Sequence, residues 1–398
     1  MKTFKIAILG GGASGVLTAL LASKKYNGDD IAIIEGGERL MRKLAQTGNG
    51  RGNIGNTVLS KEKFFGDDCY FFIENFNLEN TLGYFASLGI ATTTIGDKIF
   101  PRSLSASSFV DLLRFNITAK NINVLLSRQV SAVKKNGGIF EIQTSNGTIK
   151  AEKIVVAMGG NAAPHLNTDG FGVKLLKSLG HTSTPVFPAL VQMKTTSAHT
   201  KTLKGIKAEV TASFFLNSKN LATFSGEMHF SEFALSGPVS FLLSAFSAPH
   251  KSGSVVVDFL PEIGKSQLIQ ILESKSKLYP DCDAETLLFT ITANQIARAI
   301  TKEAGLSSRK ISTLSNSDIE KIASLTKAFT FDFAGNLSFS KAQSTLGGVP
   351  LREFDKNLQS KITKDVFACG ETLNVCGECG GYNLQWAWSS AFAVSEGL

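Results

Sequence analysis

The chain has 398 residues, of which 43% are hydrophobic and 19% charged, with a formal net charge of +8. That length exceeds one hydrophobic core, so two or three domains are expected, and the composition excludes a disordered or collagen-like chain. Five cysteines exclude a disulfide framework, the basic residues form no run of five or six, and no uninterrupted apolar stretch of about 18 residues offers a membrane span.

A reducing, cytoplasmic setting is therefore expected, with no membrane partner. The opening MKTFKIAILGGGASGVLTALLA has the apolarity of a signal peptide, but Gly10, Gly11, Gly12 and Gly15 interrupt it and no small-residue cleavage site follows. Scattered lysines on a basic chain read as an ordinary enzyme surface rather than as a nucleic-acid footprint.

Residues 4–9 (FKIAIL) predict a strand buried on both faces of a parallel sheet. It runs into Gly10-Gly11-Gly12-Ala13-Ser14-Gly15, then a helix over 14–25, then a second buried strand over 31–34 that ends on Glu35. This order is the dinucleotide-binding βαβ fingerprint. Gly10 permits the tight turn, Gly12 the close approach of a pyrophosphate, and Gly15 the packing of helix on strand. The helix start offers free N–H groups and a positive dipole end to phosphate. An acid at 35 accepts ribose hydroxyls and disfavours a 2′-phosphate, so FAD or NAD fits better than NADP.

Residues 44–56 (LAQTGNGRGNIGN) are too rich in Gly and Asn for either regular element, and read as a ligand-contacting loop with Arg51 and Asn53 as polar heads. Helices are predicted over 78–88 and 107–119, a strand over 124–133, a hairpin of 139–144 with 148–150, and a buried strand over 153–157 leading to Met158-Gly159-Gly160. A helix over 170–179 ends at Gly180. After about residue 185 the texture changes. Residues 206–214 alternate as a half-exposed antiparallel strand, 255–259 add another, and 265–329 turn helical. From 364 the earlier style returns: strand, Cys369-Gly370-Glu371, then Gly380-Gly381-Tyr382 and a helix over 383–394. An α/β fold is implied, with a discontinuous dinucleotide domain and an insertion from about residue 190 to 341.

Cys376-Gly-Glu-Cys379 leaves two readings open, a redox dithiol beside a cofactor or small thiols buried in a packed turn. No fourth ligand at metal spacing accompanies these cysteines, so no metal is expected. The histidines at 165, 181, 199, 229 and 250 are dispersed; His181 suits a helix-end capping role and His229 is a candidate proton donor.

The segments GGGASG, KLAQTGNGRGN, VVAMGG, TLGGV and ACGETLNVCGECGGYNLQWAWSS, in this order, resemble the BaiN/RdsA-type NAD(P)/FAD-dependent oxidoreductases, the YhiN-like flavoproteins. The sequence departs from that pattern at Gly52, where Cys is usual, at Met158, at Leu373–Gly377, at Ala391 and within 229–238. The resemblance implies a Rossmann-like FAD-binding domain (1–190 and 342–398), an inserted β-rich domain (191–261 and 331–341) and a helical subdomain (262–330). It implies that Gly12, Ala13, Ser14 and Glu35 hold the ADP half of FAD, that Lys43, Gly50, Arg51 and Asn53 line the riboflavin, and that the backbone of Val130 meets the adenine. Ala157 and Gly159 would cover the cofactor, Gly370 and Glu371 reach the ribityl–phosphate region, and Gly381, Asn383 and Leu384 place a helix start near the flavin pyrimidine edge. No catalytic residue is assigned. The expected activity is hydride transfer through FAD between a reduced nicotinamide, NADH or NADPH docking transiently, or another donor, and an unidentified small-molecule acceptor. A dithiol–disulfide reductase using Cys376 and Cys379, an RNA-modifying flavoprotein and a non-catalytic flavin sensor stand as alternatives.

Overall fold

The opening apolar run forms β1 (Thr3–Leu9), in which Ile6, Ala7, Ile8 and Leu9 are completely buried. It lies between β2 (Ile31–Ile34) on one side and a long strand on the other, all three parallel, and burial on both faces is that of a central strand in a parallel sheet covered on each side. Each large side chain so buried contributes about 1.5–3 kcal/mol. The helix Ala13–Ala22 crosses between β1 and β2, buried along most of its length. A computed structural model provides this structure, which describes residues 2–398.

The chain divides into two units, Met1–Pro188 with Ala342–Leu398, and Ala189–Lys341. In the first unit the sheet continues with β3 (Asn123–Leu125), β4 (Val130–Asn136), β5 (Ile139–Thr144), β6 (Gly147–Val156) and β7 (Val366–Ala368). Its strand order is β3-β2-β1-β6-β5-β4, with β7 also on β6. β6 changes partner midway: residues 147–151 pair antiparallel with β5, and 154–156 pair parallel with β7. Expected as two strands, 148–150 and 153–157, it is one, because Lys150, Ala151 and Lys153 keep one register with β1 across the expected break.

The opposite correction applies to 124–133, expected as one strand and found as two, which lie at the two ends of the strand order. The break is at Ser127, where φ is +53°, and there Ser127 N donates to Gly37 O and Arg128 N to Glu35 O. Those two bonds carry the chain across the end of β2. The loop 44–56 winds through tight turns over Leu44–Gly50, with Gly48 and Asn49 at positive φ.

The second unit holds a six-stranded antiparallel sheet in the order Met193–Lys194, Ala234–Ser236, Lys219–Phe230, Lys207–Leu216, Gly253–Asp258, Phe329–Phe333. The long strand Lys219–Phe230 escaped the sequence reading. Its hairpin turn is Asn217-Ser218, both at positive φ, a two-residue turn without the usual glycine. The helices Lys265–Leu278, Asn294–Glu303 and Asn316–Lys327 occupy the predicted helical stretch, the last opened by a capping box of Ser315 and Asp318. Helix Gly237–Ser247 was not expected, although Pro238 at its first turn suits a helix start.

Candidate cofactor site

The glycines of the first turn serve two different purposes. Gly10 leaves β1 at φ +111°, and a Cβ there would lie 2.3 Å from the Ala157 carbonyl oxygen; a Cβ on Gly15 would lie 2.1 Å from the Gly10 oxygen. Both are required by packing. Among the described residues, Gly12, which caps the following helix, has no atom within 4 Å of its would-be Cβ, and no side chain caps that helix. A glycine that packing does not demand, at an uncapped helix start, fits a ligand's close approach. Ala13 and Ser14 form the helix's first turn, and Ser14 is nearly buried.

Glu35 sits beside this corner. Its Oε2 accepts the Gly11 N–H at 2.8 Å and its Oε1 the Gly37 N–H at 2.7 Å. A carboxylate offers about four lone-pair sites, so capacity is left for ribose hydroxyls. Val130 is buried at the start of β4, in register with Thr144. Ala157 follows β6, its N–H donating to Leu9 O, and Gly159 holds φ +70° with nearly open space at its Cβ position.

In the 44–56 loop, Gly50 is at φ +82° with nothing within 4 Å of a Cβ, whereas Gly52 faces Ala106 at 3.0 Å. The glycine at 52 is thus a packing residue against the helix Ala106–Ala119. Asn53 Oδ1 is buried and, among the described residues, accepts no hydrogen bond. Such an atom costs about 1–3 kcal/mol unless something donates to it, which fits a cofactor donor group here. Arg51 is exposed and makes contacts with Gly48 O and the Phe100 ring.

The last glycine-rich segment closes the site from the other end of the chain. Gly370, at φ +69°, lies so near the first helix that a Cβ would stand 2.6 Å from Ser14 Oγ. Its N–H donates to Ser390 Oγ and its carbonyl accepts the Trp386 indole N–H, both at 3.0 Å. Glu371 Oε2 pairs with Lys43 Nζ at 2.8 Å, while its Oε1 accepts the Thr345 N–H at 2.6 Å. Gly381 begins the helix Tyr382–Gly397 at φ +107°, pressed against the Gly55 carbonyl. Asn383 closes on Gly377 with two bonds, accepting its N–H at 2.9 Å and donating to its oxygen at 2.8 Å, and Leu384 follows, half-buried. Lys43–Glu371 and the partners Ser344 and Thr345 were not assigned from sequence. TLGGV was visible as a motif, but nothing in it, or in Ser344 just before it, says which turns these hydroxyls reach.

The five cysteines are unpaired thiols. Burial pushes the Cys376 thiol up to about 12, against a smaller opposing effect of its bond to Ser344 Oγ, and burial pushes Cys379 up to about 12 as well. Thiols so placed are poor nucleophiles. His181 does not cap its helix through the ring: Nδ1 bonds Glu353 Oε2 and Nε2 bonds Ser360 Oγ, both at 2.8 Å, and the imidazole stacks on Phe354. Ser360 Oγ already accepts the Ile362 and Thr363 N–H groups and is buried, so this Ser–His–Glu chain pins a turn and offers no nucleophile. In the second unit, His229 pairs with Glu227.

The sequence model of the HI0933-like protein Rossmann domain matches residues 4–397. The chain belongs to this family. It is 31% identical to the 3-dehydro-bile acid delta(4,6)-reductase of Clostridium scindens, over 98% of each chain. It is 25% identical to the ribosomal RNA dihydrouridine synthase of Escherichia coli, over all of this chain and 98% of that protein. A variant of Escherichia coli quinol fumarate reductase FrdA shares the fold at a TM-score of 0.50 and 15% identity, over 100% of this chain and 70% of that one. As a family member with this dinucleotide fold, the chain is an FAD-dependent oxidoreductase. Among the described residues no helix is long and apolar enough to cross a membrane.

Proposed function

We propose that the chain reduces an activated carbon–carbon double bond in a small molecule, with NADH or NADPH as the source of hydride. The observation that carries the cofactor half of this reading is the open space at Gly12, above an uncapped helix start and beside Glu35. The substrate half is supported by the relative at 31% identity, named as a reductase of a dehydro-bile acid. When bound, FAD supplies a two-electron carrier that takes up hydride from one partner and yields it to another.

The chain's own residues then divide the work. Gly12, Ala13 and Ser14 would present N–H groups to the pyrophosphate, and Glu35 would accept the ribose hydroxyls. The Val130 backbone would meet the adenine, and Ala157 and Gly159 would lie over the cofactor. Asn53 Oδ1 would gain a donor from the riboflavin, with Lys43, Gly50 and Arg51 along the same loop. Gly370 and Glu371 would face the ribityl–phosphate part. The helix that starts at Gly381, with Asn383 and Leu384, would set its positive end against the pyrimidine edge and favour negative charge there. No second G-x-G-x-x-G follows a strand in the sequence, so the nicotinamide would dock transiently.

A second reading is an RNA substrate, favoured by the relative named as a ribosomal RNA dihydrouridine synthase together with the net charge of +8. Dihydrouridine is uridine with two added hydrogens, so the chemistry is of one kind and the substrate differs. Mass spectrometry separates the two after anaerobic incubation of the FAD-loaded protein and NADPH with a steroid-like enone or with unmodified ribosomal RNA. A gain of two hydrogens on the enone alone supports the small-molecule reading. A gain on RNA alone, with affinity falling steeply with salt, replaces it.

A further inference from the structure

Three of the segments proposed to line the cofactor are tied together by one dipeptide, Ser344-Thr345, to which no role has been given. Both residues are buried, Ser344 at 2% and Thr345 at 1% exposure, in the short strand Ser344–Leu346. Successive side chains of a strand point to opposite faces, so two neighbours can serve two different turns. Thr345 Oγ1 accepts the N–H groups of Asn161 at 2.8 Å and Ala162 at 3.2 Å, which holds the turn that contains Gly159. Ser344 Oγ lies 3.2 Å from Asn383 Oδ1, at the start of the last helix, and receives the Cys376 thiol at 3.4 Å. Between them stands Glu371. Its Oε1 takes the Thr345 N–H at 2.6 Å and lies 3.3 Å from Ser344 Oγ, while Oε2 holds Lys43.

Packing leaves no slack in this arrangement. A Cβ added to Gly160 would lie 2.4 Å from Thr345 Oγ1 and 3.0 Å from the Glu371 carboxyl carbon. The turn after β6, the turn after β7 and the start of the last helix are thus set relative to one another by two hydroxyls, one amide and one carboxylate. We propose that Ser344 and Thr345 are positioning residues for the flavin: they touch no reacting atom, but they fix the distance between Gly159, Glu371 and the positive helix end at Gly381. This inference rests on the FAD reading above. Its specific content is that the electrostatic setting of bound flavin depends on these hydroxyls, not merely that the fold does.

The test uses the full chain loaded with FAD, comparing wild type with Thr345→Val, Thr345→Ser and Ser344→Ala. Thr345→Val keeps the shape and deletes the acceptor of two N–H groups, that of Ala162 buried and that of Asn161 half-buried, while Thr345→Ser keeps the hydroxyl. The readouts are the midpoint potential of bound FAD and its visible absorbance and circular dichroism, which a simple loss of stability does not move. In Thr345→Val the ratio of affinities for reduced and oxidised FAD is expected to change by about tenfold, about 30 mV for a two-electron couple. Thr345→Ser is expected to restore both potential and spectrum, and Ser344→Ala to shift them less. Should Thr345→Val fail to fold, Ser344→Ala carries the same test. A folded, loaded Thr345→Val or Ser344→Ala with wild-type potential and spectrum overturns the proposal, as does a Thr345→Ser that behaves like the valine variant. A wild-type protein that takes up no FAD contradicts the flavoprotein reading itself, an outcome distinct from wild type and variants loading alike.

Discussion

Two glycine-rich turns meet in the first unit, and they are built on opposite principles. The turn at Gly10–Gly15 is made of backbone: Gly10 and Gly15 allow strand and helix to touch, and no side chain caps the helix that follows. The turn from Gly370 to Gly381 is made of side chains. Asn383 bonds both backbone groups of Gly377, Ser390 and Trp386 hold Gly370, and Glu371 gathers Lys43 and Thr345. Beyond the Gly10 and Gly11 N–H groups, which Ile34 O and Glu35 accept, the first turn therefore leaves the N–H groups of its helix start for a ligand, whereas the second consumes most of its polar groups to stay in shape. The difference teaches that a cofactor site can be half cradle and half frame, and that substitutions in the two halves should fail in different ways.

Gly15→Ala gives the largest expected effect. Its Cβ would sit 2.1 Å from the Gly10 oxygen, between backbone atoms that cannot move aside, so a loss of about 3 kcal/mol or more in chemical denaturation is expected, with FAD binding lost as well. Asn383→Ala, beside the second turn, removes two half-buried bonds and is expected to cost about 1–3 kcal/mol of stability even without cofactor. Gly12→Ala sharpens the contrast. With nothing within 4 Å of the new methyl group, stability of the cofactor-free protein should stay within about 0.5 kcal/mol, while FAD titration shows affinity reduced about tenfold or more. Equal loss of stability in Gly12→Ala and Asn383→Ala would erase the distinction between cradle and frame.

The smallest effect is expected at the thiols of the second turn. At pH 8 a thiol of pKa about 12 is ionised on the order of one part in 10⁴, so a disulfide reagent should react with Cys376 and Cys379 only slowly, faster about tenfold for each unit that pH rises. Cys376→Ser and Cys379→Ser should leave reduction of bound FAD by NADPH within about twofold of wild type. Collapse of turnover in either serine variant would instead make these two residues a redox dithiol.

What was legible in the sequence follows the same division. The backbone turn announces itself, because glycine spacing, a flanking apolar strand and an acid at 35 are properties of single positions. β1, β2 and the helix between them came out within a few residues. The side-chain frame does not announce itself, since Thr345 reaches Asn161, and Glu371 reaches Lys43, across sequence separations of 184 and 328, only once the intervening chain has folded. The segment 124–133 misled for a related reason: no glycine or proline marks a break between Val124-Leu125-Leu126 and Val130, and the crossing at Ser127 is set by carbonyls of Glu35 and Gly37 far away in sequence. Asn53 was picked out as a polar head of its loop, but that its Oδ1 is buried without a donor could only come from the structure.

The most direct measurement is the absorbance spectrum of the purified protein with added FAD, followed by anaerobic NADH and then NADPH. Flavin bands are expected to stay with the protein through gel filtration and to bleach within seconds of adding one of the two nicotinamides. A protein that releases all FAD on the column would contradict the assignment of this site.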